Sequence, residues 1–236
     1  MKKYFLQNGF SKLTGLIDIE SVSKLKIIYN RILNDLENTS HLRSDLSGTG
    51  EIGNEKITQI MRPSLVVPEL KNSEAYTNAL NYSRHLLGMD MELDFDMLIN
   101  KRPFTNTPTP WHQDAAYWID MPDKRSVSCW IALDKAEEDN GCMWFIPRKD
   151  KQIKKHKAII DGGALSCKAN IRDANCIELN KGDCTFHDGF TIHYSKGNST
   201  SDNRRALILN FRPKKMIELE RSKGMDHLGK RKIRNK

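Results

Sequence analysis

Residues 91–100 read MELDFDMLIN. Met91, Leu93, Phe95, Met97 and Ile99 alternate with Glu92, Asp94, Asp96 and Leu98, a period of two that predicts a β-strand with one face given to a core. The texture of the chain changes at this point. Upstream, Val22, Leu25, Ile28, Ile32 and Leu36 recur at steps of three and four and predict an amphipathic helix over 19–36. Ile57 to Met61 reads as a short strand ended by Pro63. Ser73 then opens a second helix, with Tyr76, Ala79, Leu80, Leu86 and Leu87 on one side and a stop at Gly88. Downstream, short strands are expected at 127–133, 143–146, 176–179, 185–186, 191–194 and 206–211, separated by turn signals such as MPDK, DNG, KGD and NSTSDN. Helices first and short strands afterwards predict a mainly β fold with flanking α-helices, a sandwich or barrel with the helices outside it. The Lys- and Gly-rich segment 148–175 reads as a long loop or an insertion.

The chain has 236 residues, 38% of them hydrophobic, and a net charge of +8. That length suits one domain, or two small ones, with a real core. No stretch approaches the roughly 18 apolar residues of a membrane span, so no membrane partner is expected. The start, MKKYFLQNGF, lacks the long apolar region of an export signal. Five cysteines (129, 142, 167, 176 and 184) form an odd set without a CxxC pair. They predict reduced thiols and a cytoplasmic protein. The excess charge gathers in residues 214–236, read either as a solvated tail or as a patch for an anionic substrate or nucleic acid.

Among seven histidines, His41 and His156 lie in polar stretches, His85 on a helix and His227 in the basic segment. His112 and Asp114, in PWHQDAAYW (110–118), are two apart. On an extended strand they share a face about 7 Å apart along the chain, close enough to converge on one ion. The segment KGDCTFHDGFTIHYSKGN (181–198) offers His193; its other pair, His187 and Asp188, reads as loop before the final strand. On that strand Arg204, Ala206, Ile208 and Asn210 share one face and Arg205, Leu207, Leu209 and Phe211 the other. A guanidinium facing an interior is costly unless an anion meets it, and a dicarboxylate would supply one. A register slip of one would exchange Arg204 for Arg205. Two histidines and a carboxylate that leave three positions open make the facial triad of non-haem Fe(II) oxygenases. Two of those positions suit 2-oxoglutarate and one dioxygen. A closed zinc site would need a fourth ligand, which no tight spacing offers. The competing account is a hydrogen-bonded His–Asp pair with an unrelated core histidine, and Tyr117, Trp118 and Trp130 serve equally as pocket walls or core packing.

With GF at 9–10, PWHQD at 110–114, WIALD at 130–134, DNGCMWFIP at 139–147, KGD at 181–183 and HYSKGN to RRA over 193–206, the chain resembles the phytanoyl-CoA dioxygenase family of Fe(II)/2-oxoglutarate-dependent oxygenases, from about Phe5 to Pro213. The resemblance implies a double-stranded β-helix, or jelly roll: a helical part over 1–90, a core over about 91–213 and a basic tail over 214–236. It implies His112, Asp114 and His193 as iron ligands and Arg204 on the distal carboxylate of 2-oxoglutarate. Ser195, Trp130 and Asn100 would line the cosubstrate pocket, and Trp118, with Tyr117, would face the substrate. The carboxylate of Asp114 argues for hydroxylation or a related oxidation and against halogenation, since halogenating relatives lack it. Where the family often continues GSH after IP, this chain has Arg148, Lys149 and Asp150, beside the expected pocket mouth. The expected function is hydroxylation of an unactivated C–H bond of a small molecule, with release of succinate and CO2. A catalytically silent jelly-roll binding protein, or an oxygenase acting on nucleic acid, are the alternatives. The lack of aromatics among the basic residues and of any reading motif argues against a nucleic-acid partner.

Overall fold

The computed structural model of the chain describes residues 1–48, 50–159 and 163–228. In chain order its elements are α1 (Lys2–Asn8), β1 (Phe10–Leu13), α2 (Ile19–Asn34), α3 (Leu36–Thr39), β2 (Arg43–Asp45), β3 (Ile57–Met61), α4 (Glu74–Leu87), β4 (Met91–Lys101), β5 (Thr109–His112), β6 (Val127–Ala132), β7 (Met143–Phe145), β8 (His156–Ala158), β9 (Leu165–Cys167), β10 (Asn175–Ile177), β11 (Cys184–His187), β12 (His193–Ser195), β13 (Arg204–Pro213) and α5 (Lys214–Ser222). The Asp18 carboxylate accepts the Ser21 N–H and starts α2, whose Val22, Leu25, Tyr29 and Ile32 are buried. The helix expected to reach residue 36 stops at Asn34, because Asp35 caps a new turn by accepting the Asn38 N–H. α4 ends at Gly88, whose φ of 124° is closed to most L side chains.

An antiparallel sheet runs β1-β11-β6-β13-β4-β3-β2, and a second runs β10-β7-β12-β5. The two face each other as the expected jelly roll, their inner faces meeting where Phe10 stacks on Phe145 at 4.9 Å. Leu207 and Leu209 of β13 turn outward onto α2 and α4, while Ala206 and Ile208 turn inward with Trp130, Met143 and Phe145. Burying each such leucine contributes about 1.5–3 kcal/mol. The helices therefore cover one face of the large sheet and leave the other to form a cleft.

Strand β4 departs from the expected single core face. A bulge places Asn210 opposite Phe95 but Phe211 opposite Leu93, so Asp94 is the extra residue. Phe95 and Met97 join the inner cluster, whereas Met91 and Leu93 pack with the helices. Asp96, on the helix side, accepts the Tyr76 hydroxyl at 2.5 Å.

The bulge also corrects the expectation of a free tail from residue 214. Asp94 pairs with Arg212 (3.1 Å), Arg221 and His227 (3.3 Å), and Glu220 of α5, fully buried, pairs with Arg212 and His227. The basic segment is thus docked on the large sheet as far as His227; residues 229–236 lie outside the described residues. Burial alone would raise the Asp94 carboxyl, but His227, Arg212 and Arg221 hold it below its ordinary 3.8. A depressed folded value gives stability that is complete above pH 3.8 and fades as pH falls through the folded value. Asp94→Asn is expected to cost on the order of 1–3 kcal/mol in urea unfolding at pH 6, and less toward pH 3.

The segment 148–175 is not simply a loop. β8 and β9 pair as a hairpin and β9 packs along β5, with Leu165 N–H donating to the Tyr117 hydroxyl at 2.8 Å. His156 Nε2 accepts the Gln113 N–H at 3.0 Å, so this histidine supports the backbone between His112 and Asp114.

Candidate active site

Antiparallel pairing of β5 with β12 sets His193 directly opposite His112. Their rings lie 4.1 Å apart between centroids, on the inner face of the small sheet. The chain leaves β5 into a tight turn at Asp114–Tyr117. That turn brings Asp114 Oδ1 to 3.7 Å from Nε2 of both His112 and His193. One ligand atom from each of the three residues lies within 4.8 Å of the other two.

The backbone fixes which nitrogen faces inward. His112 Nδ1 donates to the Pro110 carbonyl at 2.7 Å and His193 Nδ1 to the Thr191 carbonyl at 3.0 Å. Each ring therefore presents a bare Nε2 to the shared point. Burial lowers the His112 value, and burial together with His112 holds His193 well below its ordinary one. Burial alone would raise the Asp114 carboxyl, but His193, His187 and His112 keep it far below the usual carboxylate range. Two neutral imidazoles and an ionised carboxylate are the protonation states a ferrous ion requires, and the donor set fits Fe(II).

The triad opens into a cleft between the sheets, also lined by Met97, Ile99, Tyr117, Trp130, Met143, Ser195, Arg204 and Ile208. Arg204 is 1% exposed. Its guanidinium carbon lies 5.0 Å from the Trp130 ring centroid, and its Nε and Nη1 have no hydrogen-bond partner. Burial pushes it down to about 10, still charged at neutral pH. A buried cation with idle donors fits an anionic carboxylate. The strand register decides between the two arginines. Arg205 faces the other way and grips Asp134 at 2.7 Å and Asn30 at 2.8 Å.

Lys101 lies opposite Arg204 on β4 and is fully buried. Its ammonium donates to the carbonyls of Thr107 (3.3 Å), Ser195 (3.1 Å) and Lys196 (2.5 Å). It ties β12 to β4 beside Arg204, and burial together with the Arg204 charge pushes its amine well below its ordinary value. Lys101 ends the alternating stretch, where its parity with Met97 and Ile99 was the readable signal.

Two expected residues lie elsewhere. Asn100 sits opposite Arg205, on the helix side of the sheet, and donates to Asn203 Oδ1 at 3.0 Å. β4 presents Ile99 and Lys101 to the inner face, so Asn100 is one position out of phase with the cleft. Trp118 follows the turn that breaks the period of two. It packs with Ala115 and Phe190 under Arg212, whose guanidinium lies 4.0 Å from its ring centroid. Tyr117, Trp130 and Ser195 do line the cleft. Arg148 turns from the expected mouth to Asp188 at 2.6 Å and, with Lys149 and Asp150, lines a separate cavity.

His187 corrects a further expectation. It is the last residue of β11, not loop, and it is 2% exposed with Nε2 3.3 Å from Asp114 Oδ2. The alternation Cys184, Thr185, Phe186, His187 carried the signal, placing His187 on the same face as Thr185.

The chain matches the phytanoyl-CoA dioxygenase family model over residues 5–206. It is 24% identical over 235 residues to the peroxisomal phytanoyl-CoA dioxygenase of Mus musculus, covering 89% of this chain and 67% of that one. It is 22% identical over 231 residues to a probable alpha-ketoglutarate-dependent hypophosphite dioxygenase of Stutzerimonas stutzeri, covering 89% and 77%. Among solved structures, EvdO2 from Micromonospora carbonacea var. aurantiaca superposes with a TM-score of 0.75 at 28% identity over 89% of this chain and 88% of that one. The same protein complexed with 2-oxoglutarate superposes with a TM-score of 0.72.

Proposed function

Because the chain belongs to the phytanoyl-CoA dioxygenase family, we propose that it hydroxylates an unactivated C–H bond of a small-molecule substrate, with His112, Asp114 and His193 holding iron and Arg204 holding 2-oxoglutarate. The chain is an Fe(II)- and 2-oxoglutarate-dependent dioxygenase. The observation that carries this proposal is that the triad and a buried guanidinium with idle donors share one cleft. Bound Fe(II) with 2-oxoglutarate supplies the oxidising chemistry, with dioxygen consumed and succinate and CO2 released.

The chain's own residues bind, orient and keep dry. Arg204 takes the distal carboxylate of 2-oxoglutarate, with Trp130 against the guanidinium and Ser195 lining the same cleft. Pro110 and Thr191 carbonyls hold both imidazoles in the ligating tautomer. Met97, Ile99, Met143 and Ile208 exclude water from the cleft, which protects a strong oxidant from side reactions. Tyr117, Leu46 and Ala164 border the same cleft, and the substrate is placed there. Apart from the triad, His187 and Arg204, the described lining is uncharged, which suits an uncharged portion of a small molecule. No helix among the described residues is long and apolar enough to cross a membrane, and five free cysteines support a reducing, cytoplasmic setting.

The test is succinate release from 2-oxoglutarate by the full chain, with and without Fe(II), across a panel of small molecules. Iron-dependent succinate coupled to a product carrying one added oxygen atom is expected. Binding of panel members with no iron-dependent succinate would instead identify a silent binding protein.

A further inference from the structure

Asp114 has two oxygens, and the structure treats them differently. Oδ1 faces His112 and His193. Oδ2 accepts the Ser128 hydroxyl at 3.0 Å and lies 3.3 Å from His187 Nε2. Ser128 in turn accepts the Asn210 amide at 2.8 Å. His187, Ser128 and Asn210 stand side by side on β11, β6 and β13, at one level of the large sheet. They are 2%, 0% and 0% exposed.

A buried polar row of this kind is expensive. His187 Nδ1 and Asn210 Oδ1 have no partner, and an apolar row would pack without that cost. The row's one shared product is the fixed orientation of Oδ2. We propose that His187, Ser128 and Asn210 are positioning residues that hold Asp114 as a one-oxygen ligand. This rests on the metal-centre reading above and goes beyond it. A carboxylate free to rotate could offer both oxygens to an ion and take one of the three positions that cosubstrate and dioxygen need. With the proton on Nε2, His187 donates to Oδ2 just as Ser128 does, and the two donors together oppose that rotation.

The test uses the full-length protein loaded with Co(II) for affinity and Mn(II) for water count, the latter read from water-proton relaxation. Ser128→Ala and His187→Phe are each expected to weaken Co(II) binding by about 10- to 100-fold and to remove one water from bound Mn(II). His187→Gln, which keeps a side-chain N–H, is expected to restore both. Circular dichroism of the metal-free proteins confirms that each variant is folded, and Ser128→Ala, the smaller change, carries the test if His187→Phe is not. Unchanged affinity and water count in folded variants would overturn the proposal. So would weaker binding with the water count unaltered, which marks a merely structural row. Wild-type protein that takes up neither ion would instead mean that the metal-centre reading fails.

Discussion

Asp114→Ala is expected to lose ferrous ion and, with it, turnover of 2-oxoglutarate. Loss of a supporting residue around a metal typically costs about 10- to 100-fold in affinity or activity, so removal of a ligand should exceed a hundredfold. Asp114 also balances the site: it is the carboxylate beside His112, His187 and His193. Without it an incoming dication meets no anionic ligand. His112→Ala should behave alike in iron binding. Melting of the metal-free variants distinguishes this from unfolding. Ser128 and His187 lose their acceptor in Asp114→Ala, so a modest drop in melting temperature is expected while iron uptake falls to background. Full activity in that variant would rule out the assigned ligand set.

Arg204→Ala is expected to weaken 2-oxoglutarate binding by about 2–4 kcal/mol, the cost of leaving a buried charge unpaired. That corresponds to roughly 30- to 1,000-fold in KM for the cosubstrate. Fe(II) affinity should hardly move, because the guanidinium touches none of the triad in the contacts described. Arg204→Lys should recover part of the loss, keeping the charge but not the planar fork. Arg205→Ala is the control: it breaks the pair with Asp134, so its effect should fall on stability and leave cosubstrate KM near the wild-type value. The opposite assignment of effects would mean that the strand register is wrong.

How much of this was legible in the sequence follows from how local each signal is. Helix α4 and the strand at 57–61 were readable because period, start and stop lie within one segment. So were His112 and Asp114, two residues apart, and Arg204, whose face was set by the parity of β13. Asn100 failed for a non-local reason. Its face depends on which residue of β13 it meets, and the period of two could not say that Arg204 meets Lys101. Trp118, put on the substrate side by the resemblance alone, failed because the turn at Asp114–Tyr117 carries it away from the cleft and under Arg212. His187 was missed because the DG after it marked a loop, and the strand was ended one residue early. The bulge at Asp94 shows only in the pairing of β4 with β13, and α5 docks through charge pairs between residues 94, 212, 220, 221 and 227, which only the folded chain brings together. Strands of three or four residues, such as β2, β8 and β9, are too short for a period to show.

The most direct measurement is an anaerobic titration of the full chain with Fe(II) and then 2-oxoglutarate, followed in the visible spectrum. One equivalent of each should produce the weak charge-transfer band of a chelated ferrous–keto-acid pair, absent in Asp114→Ala and requiring far more 2-oxoglutarate in Arg204→Ala. No band from the wild-type protein at saturating Fe(II) and 2-oxoglutarate, or an undiminished band in Asp114→Ala, would contradict the account.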